Sequence, residues 1–153
     1  MPPTAGDVGQ VFERSPLLVS RLLPLVDATD SPREIVRKAR EIISAFDEQE
    51  LIATLAAHPR IGDDPRTLSA LSLREQGADA DPEALRELAD LNAAYERRFG
   101  FRFVVFVAGR HKSEIVPLLR ARLERTREEE LATNVNEFLA ISRDRLEKAQ
   151  PGG

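Results

Sequence analysis

Phe101-Arg102-Phe103-Val104-Val105-Phe106-Val107 breaks an otherwise helical sequence pattern. By propensity it is a buried strand, because β-branched and aromatic side chains suit a pleated surface. A single strand among helices, however, has no ladder partner. The run is therefore expected to be an extended segment threaded through helices. Its N–H and C=O groups would be satisfied by side chains or by a ligand.

Helical punctuation surrounds it. Upstream, Asp81-Pro82 opens a long helix with Leu85, Leu88, Leu91, Tyr95 and Phe99 on one stripe, and Gly100 suits the position just past its end. Downstream, Thr126-Arg127-Glu128-Glu129 begins the last helix, with Leu131, Val135, Phe138, Leu139 and Leu146 inward. Nearer the N-terminus, Ser15-Pro16 places a cap residue before a proline. Ser31-Pro32-Arg33-Glu34 is a capping box, followed at helical period by Ile35, Ala39, Ile42, Ile43 and Phe46. Asp47 with Glu50 opens a short helix that must stop near His58, because Pro59 follows. Proline, glycine and turn residues make 59–71 a loop. The expectation is an all-α, single-domain bundle of about six to eight helices over residues 1–153, frayed near 1–6 and 149–153.

Composition narrows the function. A chain of 153 residues can bury a core without a disulfide or a metal staple. It has no cysteine, which excludes thiolate catalysis and sulfur-held metals. The net charge of −4 argues against nucleic acid as a partner. Basic residues gather between Arg97 and Arg127, but Glu114, Glu124 and Glu128 match them, as on a solvated helical surface. No apolar run reaches the ~20 residues needed to cross a bilayer. The first residues have no basic start or apolar core of a secretory signal, so a cytoplasmic protein is expected.

Two clusters can carry chemistry. His58 lies in Ala57-His58-Pro59-Arg60-Ile61-Gly62, where a helix ends and the chain turns. An imidazole there can exchange a proton near neutral pH, and a helix C-terminus favours its cation. The alternative is that it only caps the helix. His111 sits among basic residues and reads as solvated. In Ser72-Leu73-Arg74-Glu75-Gln76, Ser72 and Glu75 form a capping box, which alone accounts for both. The same helix start also offers hydrogen-bond groups to an anion, and a glutamate beside a histidine could orient its ring. Both readings stay open on the residues alone.

These motifs, in this order, resemble the 2-oxo-4-hydroxy-4-carboxy-5-ureidoimidazoline (OHCU) decarboxylase family. Residues 57–62 resemble its His-Pro-x-Leu/Ile-Gly/Ala signature, and residues 72–76 its Ser-x-x-Glu-Gln. Leu91-Asn92-Ala93-Ala94-Tyr95-Glu96-Arg97-Arg98-Phe99-Gly100-Phe101 is similar to its Leu-Asn-x-x-Tyr-x-x-Arg/Lys-Phe-Gly-Phe. Phe12-Glu13-Arg14-Ser15-Pro16 and Arg145-Leu146 agree as well. Three positions depart from the pattern: Arg102 stands where proline is frequent, the loop before Ser72 is short, and a frequent asparagine is replaced near Arg125.

The resemblance implies a cofactor-free, metal-free, homodimeric carboxy-lyase of urate breakdown that makes (S)-allantoin from an anionic ureidoimidazoline. It implies His58 and Glu75 as the catalytic pair. Substrate would be held by Pro59, by Ser72, Leu73, Arg74 and Gln76, and by the backbone of Val104, Val105, Phe106, Val107 and Ala108. Arg145, or else Arg60, would pair with the carboxylate. The alternatives are a paralogue acting on a related ureido anion and a non-catalytic dimerisation module.

Overall fold

The computed structural model describes residues 8, 11, 12, 15–62 and 81–149. Among these it contains six α-helices and no strand. They are α1 (Pro16–Leu22), continued by a 3-10 turn (Leu23–Leu25), α2 (Pro32–Ser44), α3 (Glu48–Ala56), α4 (Pro82–Phe99), α5 (Lys112–Arg122) and α6 (Arg127–Ala149). The all-helical expectation holds.

The helix starts follow local chemistry. Glu34 N–H donates to Ser31 Oγ while Ser31 N–H donates to Glu34 Oε2, each at 3.2 Å. Asp47 and Glu50 repeat the exchange at 2.8 and 3.0 Å, and Thr126 and Glu129 at 3.1 Å in both directions. Each such cap is worth about 1 kcal/mol. Ser15 corrects the expectation. It stands at the cap position, but its buried hydroxyl donates instead to the Thr54 carbonyl at 3.1 Å. A tertiary partner has displaced the local one.

The chain packs as two compact units, residues 1–58 with 138–153, and residues 59–137. In the first, α1 packs on α2 and α3 over a core of Leu18, Leu22, Ile35, Ala39 and Leu55. The end of α6 contributes Phe138, whose ring lies 6.1 Å from that of Phe12. Arg145, 3% exposed, donates from Nη1 to the Val11 carbonyl at 3.1 Å.

In the second unit α4 packs against α5. Gly100 ends α4 at φ +82°, where L-residues are disfavoured, and its N–H donates to the Glu96 carbonyl at 2.9 Å. Tyr95 is fully buried, with its ring 4.7 Å from Phe99 and 5.4 Å from Phe103. The buried stripe of α4 is Ala84, Leu88, Asn92, Tyr95 and Phe99, so Leu85 and Leu91 flank the core and do not fill it.

Candidate functional site

His58 lies two residues past the end of α3, after the C-cap Ala57. The helix ends at Ala56, and the His58 N–H donates to the Leu55 carbonyl at 3.2 Å, closing a last turn that Pro59 forbids from continuing. The imidazole is half-buried.

The residues after Pro59 are fastened to α4 within the second unit. Arg60 makes a two-point ion pair with Glu96, and Asn92 Nδ2 donates to the Ile61 carbonyl at 3.1 Å. Asn92 and Glu96 are four residues apart, hence on one helix face. Gly62 completes the turn at φ +86°. A cleft of about 360 Å³ runs beside it, lined by Arg60, Gly62, Asn92 and Glu96 among others, and by nothing from the extended segment.

The orphan run is extended and unpaired, as expected, and side chains of α5 and α6 satisfy one of its edges. Val104 N–H donates to Asn134 Oδ1 at 2.9 Å, and its carbonyl accepts from Arg122 Nη1 at 2.8 Å. The Arg102 carbonyl accepts from Asn134 Nδ2 at 3.0 Å. Phe106 N–H reaches Glu137 Oε1 at 3.4 Å, while its carbonyl accepts from Arg110 at 2.5 Å. Ala108 (φ +51°) and Gly109 (φ +77°) then turn the chain. Alternate residues of a strand present their peptide groups to opposite edges. Among the described residues, the N–H and C=O of Val105 make no hydrogen bond.

Behind this segment lies a buried polar network. Glu130 Oε1 accepts from Tyr95 Oη and from Arg122 Nε, both at 2.7 Å, and Glu130 Oε2 accepts from Arg125 Nη1 at 2.8 Å. Asn134 Nδ2 donates to Tyr95 Oη at 3.1 Å. Burial, and then the hydrogen bond to Glu130, raise the phenol's pKa above its ordinary value, so Tyr95 keeps its proton and donates it. Arg122, 4% exposed, corrects the expectation that the basic residues from 97 to 127 are a solvated surface. His111 is exposed as expected, at the start of α5.

Of the predicted site residues, His58, Pro59, Val104 to Ala108 and Arg145 have described positions. Ser72, Leu73, Arg74, Glu75 and Gln76 lie outside the described residues. The sequence reading missed Asn92, Glu96, Arg122, Glu130 and Asn134. The signal for Asn92 was there: an amide at a core position between Leu88 and Tyr95. No group of three or more His, Asp or Glu suited to a metal occurs among the described residues, and no helix there is long and apolar enough to cross a membrane.

Comparison with known proteins places these features in a family. Residues 5–147 match the family model described as OHCU decarboxylase. The uric acid degradation bifunctional protein PucL of Bacillus subtilis is 34% identical over 143 residues, covering 91% of this chain but 28% of that protein. The 2-oxo-4-hydroxy-4-carboxy-5-ureidoimidazoline decarboxylase of Haloferax volcanii is 26% identical over 90% of this chain and 83% of its own. Among solved structures, an OHCU decarboxylase crystallised in the presence of (S)-allantoin aligns with a TM-score of 0.74 at 26% identity, covering 93% of this chain and 96% of that one.

Proposed function

The chain belongs to the OHCU decarboxylase family, and we propose that it decarboxylates 2-oxo-4-hydroxy-4-carboxy-5-ureidoimidazoline to (S)-allantoin in urate breakdown. The observation that carries the reading is the match over 5–147 together with a half-satisfied extended segment. Such a segment offers amide and carbonyl groups to a ureido-bearing ring.

The chemistry asks little of a cofactor. As the carbon–carboxylate bond breaks and CO2 leaves, its electron pair enters the ring's conjugated carbon–nitrogen unit. The ring nitrogen takes up a proton, the hydroxyl gives up its own to become the ring carbonyl, and a proton is added to the ring carbon that carries the ureido group, fixing its handedness. The ring itself is the electron sink, so neither pyridoxal nor thiamine is required. The protein has to hold one conformer, stabilise the developing charge and protonate one face.

His58 is assigned as the acid–base residue, with Glu75 as its partner or as acceptor for the substrate hydroxyl. Ser72 and Gln76 hold ureido and carbonyl groups, with Pro59, Leu73 and Arg74 completing that wall. On the extended segment the register falls on Val105, since the peptide groups of Val104 are already bonded to α5 and α6. Arg145 is assigned to the carboxylate, with Arg60 as the alternative; the Nε/Nη2 edge of Arg60 faces Glu96, and Arg145 Nη1 donates to the Val11 carbonyl. Family resemblance supports a cytosolic homodimer, which sedimentation and localisation would check.

The test follows freshly generated substrate by circular dichroism with wild type and His58→Asn. The wild type is expected to form one enantiomer rapidly, and the variant to approach the spontaneous, racemic course. A variant that forms one enantiomer as quickly as wild type would remove His58 from the mechanism. A wild type that neither speeds the reaction nor is stabilised by allantoin would favour a non-catalytic module.

A further inference from the structure

The side-chain amide of Asn134 does for the extended segment what a neighbouring strand would do. Its Oδ1 accepts from Val104 N–H at 2.9 Å and its Nδ2 donates to the Arg102 carbonyl at 3.0 Å. The two bonds straddle Phe103, as one residue of a parallel strand bonds to the two residues flanking its opposite number. The orientation of the amide is fixed by its other neighbours. Oδ1 also receives Arg122 Nη2 at 2.6 Å, which can only donate. Nδ2 also faces Tyr95 Oη at 3.1 Å, whose own proton goes to Glu130. All four hydrogen-bonding positions of the carboxamide are used, and the residue is fully buried.

The side chains of α5 and α6 serve only one edge of the segment; on the other, the Val107 carbonyl accepts from Arg110. Clamping the peptide groups of 102 and 104 toward α6 turns those of 103 and 105 to the opposite edge, where Val105 makes no hydrogen bond among the described residues. Without the amide, Arg122 on the Val104 carbonyl and Arg110 on the Phe106 carbonyl would be left to hold that edge, with no partner for the Val104 N–H.

We infer that Asn134 is a positioning residue for substrate: by standing in for a missing strand, it fixes the angle at which the Val105 peptide groups meet the ureido-substituted ring. The inference rests on the proposed decarboxylase reading. It also explains why a glutamate, an arginine and a tyrosine are buried around one amide. They hold the residue that holds the segment.

The experiment compares wild type, Asn134→Ala and, as a stability control, Ile115→Val, a core truncation elsewhere in the same unit. Initial rates are measured over a range of freshly generated substrate, and melting curves with and without (S)-allantoin. Asn134→Ala is expected to raise KM about tenfold with kcat within about threefold, and to lose most of the allantoin-induced rise in Tm. Ile115→Val is expected to lower Tm with KM unchanged. A KM for Asn134→Ala within about twofold of wild type, or an equal rise in Ile115→Val, would overturn the role.

Should Asn134→Ala not fold, amide hydrogen exchange on the wild type decides. Allantoin should slow exchange at Val105 and leave Val104 as it was. No slowing at Val105 overturns the inference. An active wild type with an indifferent Asn134→Ala sinks the positioning role alone, whereas an inactive wild type that ignores allantoin sinks the decarboxylase reading and this inference with it.

Discussion

Arg60 grips Glu96 in a fork, with Nε 2.6 Å from Oε2 and Nη2 3.0 Å from Oε1. The pair ties the turn that follows Pro59 to the C-terminal end of α4 within the second unit. The Arg60 side chain is 38% exposed, so water screens the charges and the pair contributes about 1 kcal/mol or less. Glu96→Gln keeps the shape and removes the charge. It should lower stability by about that amount in urea titration.

Asn92 supplies the second fastening and is buried, so its loss should cost more. Asn92→Ala leaves the Ile61 carbonyl without its donor. An unpaired buried acceptor costs about 1–3 kcal/mol. Asn92 Oδ1 already lacks a partner, which offsets part of the loss and puts the expectation near the lower end. Chemical denaturation of Asn92→Ala and Glu96→Gln, singly and together, would show whether the two fastenings act as one. Coupling above about 0.5 kcal/mol is expected for residues that hold the same turn.

How much of this could be read from sequence depended on the range of the interaction. The paired caps at Ser31/Glu34 and Asp47/Glu50 were legible because donor and acceptor lie three residues apart. Ser15 followed the same local rule but found a partner 39 residues away, which no local pattern encodes. The extended segment was legible as an element without a ladder, and its need for side-chain partners followed from the obligatory nature of backbone hydrogen bonds. Which side chains answer that need was not legible. Arg122, Glu130 and Asn134 carry residue types that default to the surface, and only packing against Tyr95 and Phe103 makes them interior. In the proposed site, His58 and Arg145 were visible as motif positions, while Asn92 and Glu96 lay inside a quoted motif without being given a role.

That buried network should be costly to interrupt. Glu130 is fully buried and accepts from Tyr95, Arg122 and Arg125. Glu130→Gln removes the charge that compensates Arg122 and sets an amide N–H2 against donors. Breaking a buried pair in this way costs about 3–5 kcal/mol. The double variant Arg122→Met with Glu130→Gln should lose less than the sum of the single losses, since no buried cation is then left alone. Urea midpoints of the wild type, the two single variants and the double variant would check this, and additive losses would mean the ion pair is energetically idle.

Gly62 is expected to tolerate alanine in space but not in backbone. A Cβ there would meet Leu88 Cδ1 at 3.5 Å, an ordinary contact, yet φ is +86°. The cost of Gly62→Ala should therefore be the left-handed backbone penalty of about 1–2 kcal/mol. A loss well above that range in thermal melts would point to a steric clash instead.

Acid should weaken the first unit through Asp30. Its carboxylate accepts from Lys38 Nζ at 2.5 Å and from the Asp27 N–H at 2.9 Å, and the Lys38 hydrogen bond is the main reason its pKa lies below the ordinary carboxylate value. A group whose pKa is lower folded than unfolded holds fewer protons in the native state at intermediate pH. Its stabilisation is thus present in full above the unfolded value of about 4 and is lost as pH falls through the folded one. Asp30→Asn lacks this dependence. The stability difference between wild type and Asp30→Asn, from urea titrations at pH 7 down to pH 3, should be constant above about pH 5 and shrink below pH 4. A difference that instead grows on acidification would mean that Lys38 and Asp27 do not hold the carboxylate in its charged form.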